Sequence, residues 1–212
     1  MTNTPKIWAC NIIGDVRLQG SRISYDIDPS INTPKNKLEA VNHYRAWQAL
    51  NLNEVPVKLF FNVSDFSEKR KNLKDVSMIT DGLAIISERF ADLLKDFNLG
   101  ATQLFEIPLF EFDQETQRSG KYFLLNVAET KPCFLPEQTT HVKAGAGTGL
   151  GFWRLRGFPE VSVLPSAAEG ADMWADPTLR QVIFMSDRMV KAIKAAKISP
   201  VPLKLCNVIL PN

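Results

Sequence analysis

Two stretches of this 212-residue chain, ninety-nine positions apart, carry the same order of apolar, capping and charged residues. The first runs Gly82-Leu-Ala-Ile-Ile86, Ser87, Glu88-Arg89, an amphipathic stretch to Asn98, then Leu104-Phe-Glu-Ile107. The second runs Gln181-Val-Ile-Phe-Met185, Ser186, Asp187-Arg188, an amphipathic stretch to Lys197, then Leu203-Lys-Leu-Cys206. In each, the short apolar run reads as a buried strand. The serine suits a helix N-cap, where its hydroxyl accepts from an otherwise orphan backbone N–H, and the acid after it faces the positive end of the helix dipole. Phe90, Leu94 and Phe97 answer to Met189, Ile193 and Ala196. This duplication predicts an α+β fold with a mixed or antiparallel sheet, short helices and two similar strand–helix–strand units in the C-terminal two-thirds. Nothing in the repeat itself exposes chemistry.

Around the repeat the pattern is looser. Ile7 to Ile13 and Arg22 to Ile27 read as strands flanking a Gly14-Asp15 turn, and Pro29 and Pro34 mark a loop. Lys37 to Leu50 has helical spacing through Leu38, Val41, Tyr44, Arg45, Trp47 and Leu50. Val55 to Val63 reads as a strand, with Pro56 marking an exposed start or a sheet edge. Asp65 to Asp75, rich in both charges, reads as a solvated helix or loop. Leu104 to Phe112 and Tyr122 to Glu129 read as antiparallel neighbours, since a short polar connection favours local pairing. Pro132 to Gly151 is the least regular stretch, and Phe158 to Leu164 reads as another short strand. The chain so divides into an N-terminal extension or subdomain, residues 1–77, and an α+β domain, residues 78–212.

With 25 basic and 23 acidic residues the net charge is +2, a balance that argues against dedicated nucleic-acid or membrane binding. The first residues lack the basic and apolar regions of a signal peptide. No apolar run approaches the roughly 20 residues that cross a bilayer. Cys10, Cys133 and Cys206 are odd in number and set among apolar neighbours, which fits buried thiols of a reducing compartment. The expected location is the cytoplasm.

The blocks Asp81-Gly82-Leu-Ala-Ile-Ile-Ser87-Glu-Arg-Phe-Ala-Asp-Leu-Leu and Tyr122-Phe-Leu-Leu-Asn126-Val127 are followed by Asp172-Met-Trp174-Ala-Asp176, Ile183-Phe-Met-Ser186-Asp187-Arg188, Ile198 and Leu203. In order and spacing they resemble the bacterial immunity proteins of polymorphic toxin systems known as immunity protein family eleven. The resemblance spans roughly residues 78 to 209 and implies a cytoplasmic protein that binds and neutralises a cognate toxin.

Other residues invite chemistry and answer poorly to it. The loop Lys143-Ala-Gly145-Ala-Gly147-Thr-Gly149-Leu-Gly151 matches neither a dinucleotide fingerprint nor a P-loop, and reads as a surface connector. His43 and His141 lack the partners of a zinc site, and no motif makes Cys133 and His141 a nucleophile and base. Ser87 and Ser186 lack the glycines of a nucleophile elbow and read as structural caps. Arg188, Lys191, Lys194 and Lys197 step along the last helix and read as a solvated face. Trp174 reads as structural.

The resemblance, together with the lack of any recognisable catalytic set, implies stoichiometric inhibition by binding, with no catalytic residue, metal or cofactor. The expected toxin contacts are the polar connection Asp113, Glu115 and Arg118 and the stretch Trp153, Arg154 and Arg156, since binding residues favour loops on a rigid scaffold. The alternative is a nucleotide- or nucleic-acid-binding module using the glycine loop with Lys191 and Lys194. A third possibility is an enzyme whose active site is distributed too widely for a motif to show. Neither the oligomeric state nor the toxin's chemistry is written in the residues.

Overall fold

In the computed structural model, which describes residues 4–12, 23–27, 33–62, 73–145 and 152–210, each repeat becomes a helix laid on a four-stranded sheet. In chain order the elements are β1 (Ile7–Cys10), β2 (Ile23–Asp26), α1 (Pro34–Arg45), β3 (Lys58–Phe61), β4 (Val76–Met78), β5 (Ala84–Ser87), α2 (Glu88–Leu94), β6 (Gln103–Ile107), β7 (Leu109–Phe110) and β8 (Tyr122–Asn126). They continue as β9 (Val142–Ala144), β10 (Trp153–Leu155), β11 (Ser162–Val163), β12 (Met173–Ala175), β13 (Ile183–Ser186), α3 (Asp187–Ala195), β14 (Leu203–Leu205) and β15 (Asn207–Val208). The fold is α+β with mostly antiparallel sheets, as the duplication predicts.

The first unit's sheet has the order β4-β5-β8-β6 and the second's β12-β13-β1-β14. Strand β1 therefore holds in the second unit the place that β8 holds in the first. The registers agree: Ser87 lies opposite Tyr122, and Ser186 opposite Ile7. Because side chains alternate along a strand, each sheet has two apolar faces to cover. One face of each meets α2 and α3 in a shared core, where Ile86, Phe90 and Leu94 lie in one cluster with Met185, Met189 and Ile193. Fully burying side chains of this size stabilises by about 1.5–3 kcal/mol each. The outer face of the first sheet, with Ile85 and Leu124, is covered by the sheet β2-β3-β7 and by Tyr44 of α1. The outer face of the second, with Ala9, Trp174 and Phe184, packs on Cys133, Phe134 and Val163.

Four local expectations are corrected. Pro34 opens α1 rather than marking a loop, because a proline's fixed φ and missing N–H suit the first helical position; Thr33 caps it, its hydroxyl accepting from Asn36 N at 3.2 Å. The helix ends at Arg45, and Trp47 adopts a left-handed backbone with φ 61°. The run Leu104 to Phe112 splits at Pro108, so β6 stays in the first sheet while β7 pairs with β3. Strand β3 begins two residues after Pro56 and is central in its sheet, so the proline sits on no edge. The Gly14-Asp15 turn and most of the charged segment before Asp75 lie outside the described residues.

Candidate functional site

The repeat carries a second duplication that is invisible as a motif. Asp75 and Asp172 each stand one residue ahead of a first hairpin strand, β4 or β12. The Ser87 hydroxyl donates to Asp75 Oδ1 at 2.8 Å, and the Ser186 hydroxyl to Asp172 Oδ1 at 2.6 Å. The same hydroxyls accept from Phe90 N and Met189 N, each at 3.3 Å, as helix N-caps. Arg89 grips Asp75 through Nε at 3.1 Å and Nη2 at 2.5 Å, while Arg188 grips Asp172 through Nε at 2.6 Å and through Nη2. Forked pairing of this kind is the strong form of a charged hydrogen bond.

Each carboxylate also reaches into the other unit. Ser199 N, beyond α3, donates to Asp75 Oδ2 at 2.9 Å, and Asn98 N, beyond α2, donates to Asp172 Oδ2 at 3.0 Å. Arg89 further donates to the carbonyls of Ala196 and Lys197 at the end of α3, where the helix dipole is negative. Arg188 lies over the Phe97 ring, 5.1 Å from its centre. Burial would raise both carboxyls. The arginine, the serine hydroxyl and the cross-unit N–H outweigh it and hold Asp75 and Asp172 below the ordinary value of 3.8. These groups are clasps between the units, and their hydroxyls and carboxylates are engaged in holding the chain.

The far ends of the same hairpins frame a cleft of about 1040 Å³. Gly82 and Gln181 occupy equivalent turn positions and share a left-handed backbone, φ 77° and 69°. The end of α1 lies between the two turns. Tyr44 there donates to Leu125 O in the first unit at 3.1 Å and accepts from Ala84 N, while Trp47 donates to Leu179 O in the second at 3.1 Å. Arg45, Arg154 and Arg180 line this cleft with Phe152.

Residues singled out from the sequence fall in separate places. Asp113, exposed, accepts from the Thr116 hydroxyl at 2.6 Å and from the N–H groups of Thr116 and Glu115, which lower its carboxyl and tie the turn to itself. Arg118 leans on the Phe61 ring and donates to Glu111. This turn follows β7, on the side of the second core, whereas Trp153, Arg154 and Arg156 follow the glycine loop on β10 and just beyond it. Trp153 is half-buried against the third core, Arg154 and Arg156 are exposed, and Trp174 is fully buried beside Phe184. Of the glycine loop, Lys143 to Gly145 are described, and residues 146–151 lie outside the described residues. On α3, Lys191 pairs with Asp187 at 2.8 Å and Lys194 sits 4.0 Å over the Trp8 ring, so much of the basic stripe is engaged within the fold. All three thiols are buried and unpaired; burial pushes Cys10 and Cys133 up to about 12 and raises Cys206 as well, which leaves them unreactive. Among the described residues no cluster of His, Cys, Asp or Glu could hold a metal ion, and no helix is long and apolar enough to cross a membrane.

The sequence model of the immunity protein family (Imm11) matches residues 19–207, spanning both hairpin–helix repeats and both clasps. The chain belongs to this family. No curated protein matches it. Membership of the Imm11 family suggests a toxin-neutralising role in general terms. Sequence reading assigned no role to Asp75, nor to Asp172 and the fully buried Asp176, quoted only within a family-like block; the Asp176 carboxylate accepts from Cys133 N at 2.7 Å and Phe134 N at 2.8 Å. An available signal was the aspartate before a three-residue apolar strand in each half of this Imm11 chain, Asp75-Val-Ser-Met78 and Asp172-Met-Trp-Ala175. Arg45 and Arg180 carried no such signal, because they meet only once the two units dock.

Proposed function

We propose that this chain is a cytoplasmic immunity protein that neutralises a cognate bacterial toxin by binding it stoichiometrically. The observation that carries this reading is the family match across residues 19–207. The distribution of chemical groups supports it. The conspicuous serines, carboxylates and arginines of the repeat are committed to the clasps, and the thiols are buried. What remains for a partner is a firmly held surface. Affinity would come from a few desolvated anchors, with charge setting partner choice and association rate. Asp113, Glu115, Arg118, Trp153, Arg154 and Arg156 remain the proposed contacts. Of these, Arg154 is exposed and lines the cleft, and Arg156 is exposed two residues beyond it.

Co-expression with the toxin encoded beside it tests this function. The expected outcome is restored growth and a one-to-one complex on size-exclusion chromatography. Undiminished toxicity with no complex defeats the reading.

A further inference from the structure

The cleft between the two hairpin turns gathers three arginines, Arg45, Arg154 and Arg180. Arg154 and Arg180 both lie against Phe152, each guanidinium carbon 5.1 Å from the ring centre. Among the described residues no carboxylate forms an ion pair with Arg45, Arg154 or Arg180. Asp81, the one carboxylate among the described lining residues, already accepts from the Tyr25 hydroxyl at 2.9 Å and faces Lys37 at 3.7 Å.

Two of the arginines are tied to the backbone, and the exposed Arg154 rests on the Phe152 ring. Arg45 Nη2 donates to the Asp81 carbonyl at 2.7 Å, and Arg180 donates to the Arg45 carbonyl. Phe152 is fixed in turn: its carbonyl accepts from Gly145 N at 2.7 Å, and its ring covers Gly145 so closely that a β-carbon there would fall 2.1 Å from it. Burial, and then the neighbouring charge of Arg154, lower the pKa of Arg180, the sign of a like-charge pair lacking its counter-ion. Holding like charges together in a half-open cleft is unfavourable until an anion arrives, and a pre-ordered guanidinium loses little freedom when it does.

The lining also discriminates between anions. A phosphate cradle presents backbone N–H groups at a helix N-terminus. Here α1 presents its C-terminal end, which offers no such N–H cradle and whose partial negative charge opposes a multiply charged polyphosphate more than single carboxylates. A forked guanidinium pairs with carboxylate and phosphate alike, but the amides of Asn42, Gln48 and Gln181 supply the paired donors and acceptors that a peptide backbone uses, which favours an acidic peptide.

We propose that the cleft formed by Arg45, Arg154, Arg180 and Phe152 is the docking site for an acidic segment of the toxin, a stretch of chain presenting Asp or Glu side chains. This deepens the neutralising role and rests on it.

The test uses a fluorescent hexaglutamate peptide as probe, ATP as competitor, and the full-length protein. The peptide is expected to bind at low salt and to weaken as salt rises. Arg154→Glu, at an exposed position, should weaken it by about tenfold or more, and Arg154→Gln by less, while Lys121→Glu, the same charge change elsewhere, should stay within about twofold. An unchanged thermal midpoint for the variants shows that folding is not the cause. Absence of peptide binding, indifference to Arg154→Glu, or displacement by ATP at lower concentration than unlabelled peptide overturns the proposal. In the toxin complex, full affinity retained by Arg154→Glu removes the cleft but leaves neutralisation standing. If the wild-type protein binds no toxin, the neutralising role falls, and the peptide measurements still decide the cleft's chemistry.

Discussion

The first unit takes its four strands from one continuous stretch, residues 76–126, whereas the second borrows a central strand from the opposite end of the chain. The two sheets nonetheless have matching order, matching register and matching clasps. A sheet is specified by hydrogen-bond partners and by alternation of apolar faces, so it is indifferent to whether its strands are neighbours in sequence. Among the differences between the clasps is burial: the Asp172 side chain is 4% exposed and that of Asp75 13%. Equal chemistry in drier surroundings leaves a larger penalty when a partner is removed.

Deleting residues 1–12 tests the borrowed strand and should have the largest effect. It strips both β13 and β14 of their partner, so the second unit should lose its cooperative thermal transition, followed by circular dichroism, and its amide protection in hydrogen exchange. A retained native melt would mean the second sheet closes without β1. Next in size, Asp172→Ala should cost about 3 kcal/mol in urea unfolding, because Arg188 and the Asn98 N–H are left without their carboxylate. Asp75→Ala should cost less, about 2 kcal/mol. Equal losses would show that burial does not separate the two clasps.

Acid is the mildest probe, since protonation weakens the clasps without removing atoms. Both carboxyls are held below the ordinary 3.8, so the unfolded chain takes up their protons first. Their contribution is complete above that value and fades as pH falls through the lower folded values. The denaturant midpoint should therefore drop as pH falls below about 4, and the Asp75→Asn/Asp172→Asn double variant should show a flatter profile there. A parallel profile would place the acid sensitivity elsewhere.

The parts of this fold that are legible in the sequence are local. The strand–serine–helix signature, the apolar faces of α2 and α3, and the antiparallel neighbours β6 and β8 all rest on spacings within one or two elements. What escaped depends on distance. Ile7 pairs with Ser186, and no local pattern announces a partner so remote. The clasp aspartates stand twelve and fourteen residues ahead of their serines, so the fixed offset that aligns the serines misaligns the acids. Pro34 was misleading because proline both ends and begins helices, and only the capping Thr33 distinguishes the two. Arg45, Arg154 and Arg180 come from three separate segments, and their convergence is a property of the docked units alone.

The position of β1 has a temporal consequence. At ribosomal speeds of about 5–20 residues per second, the strand leaves the ribosome on the order of ten to thirty seconds before β13 can meet it. Throughout that interval a sticky apolar segment waits without neighbours, exposed to chaperones and to stray edges of other nascent polypeptides. Until β13 and β14 emerge, a half-made copy can hold only the earlier sheet.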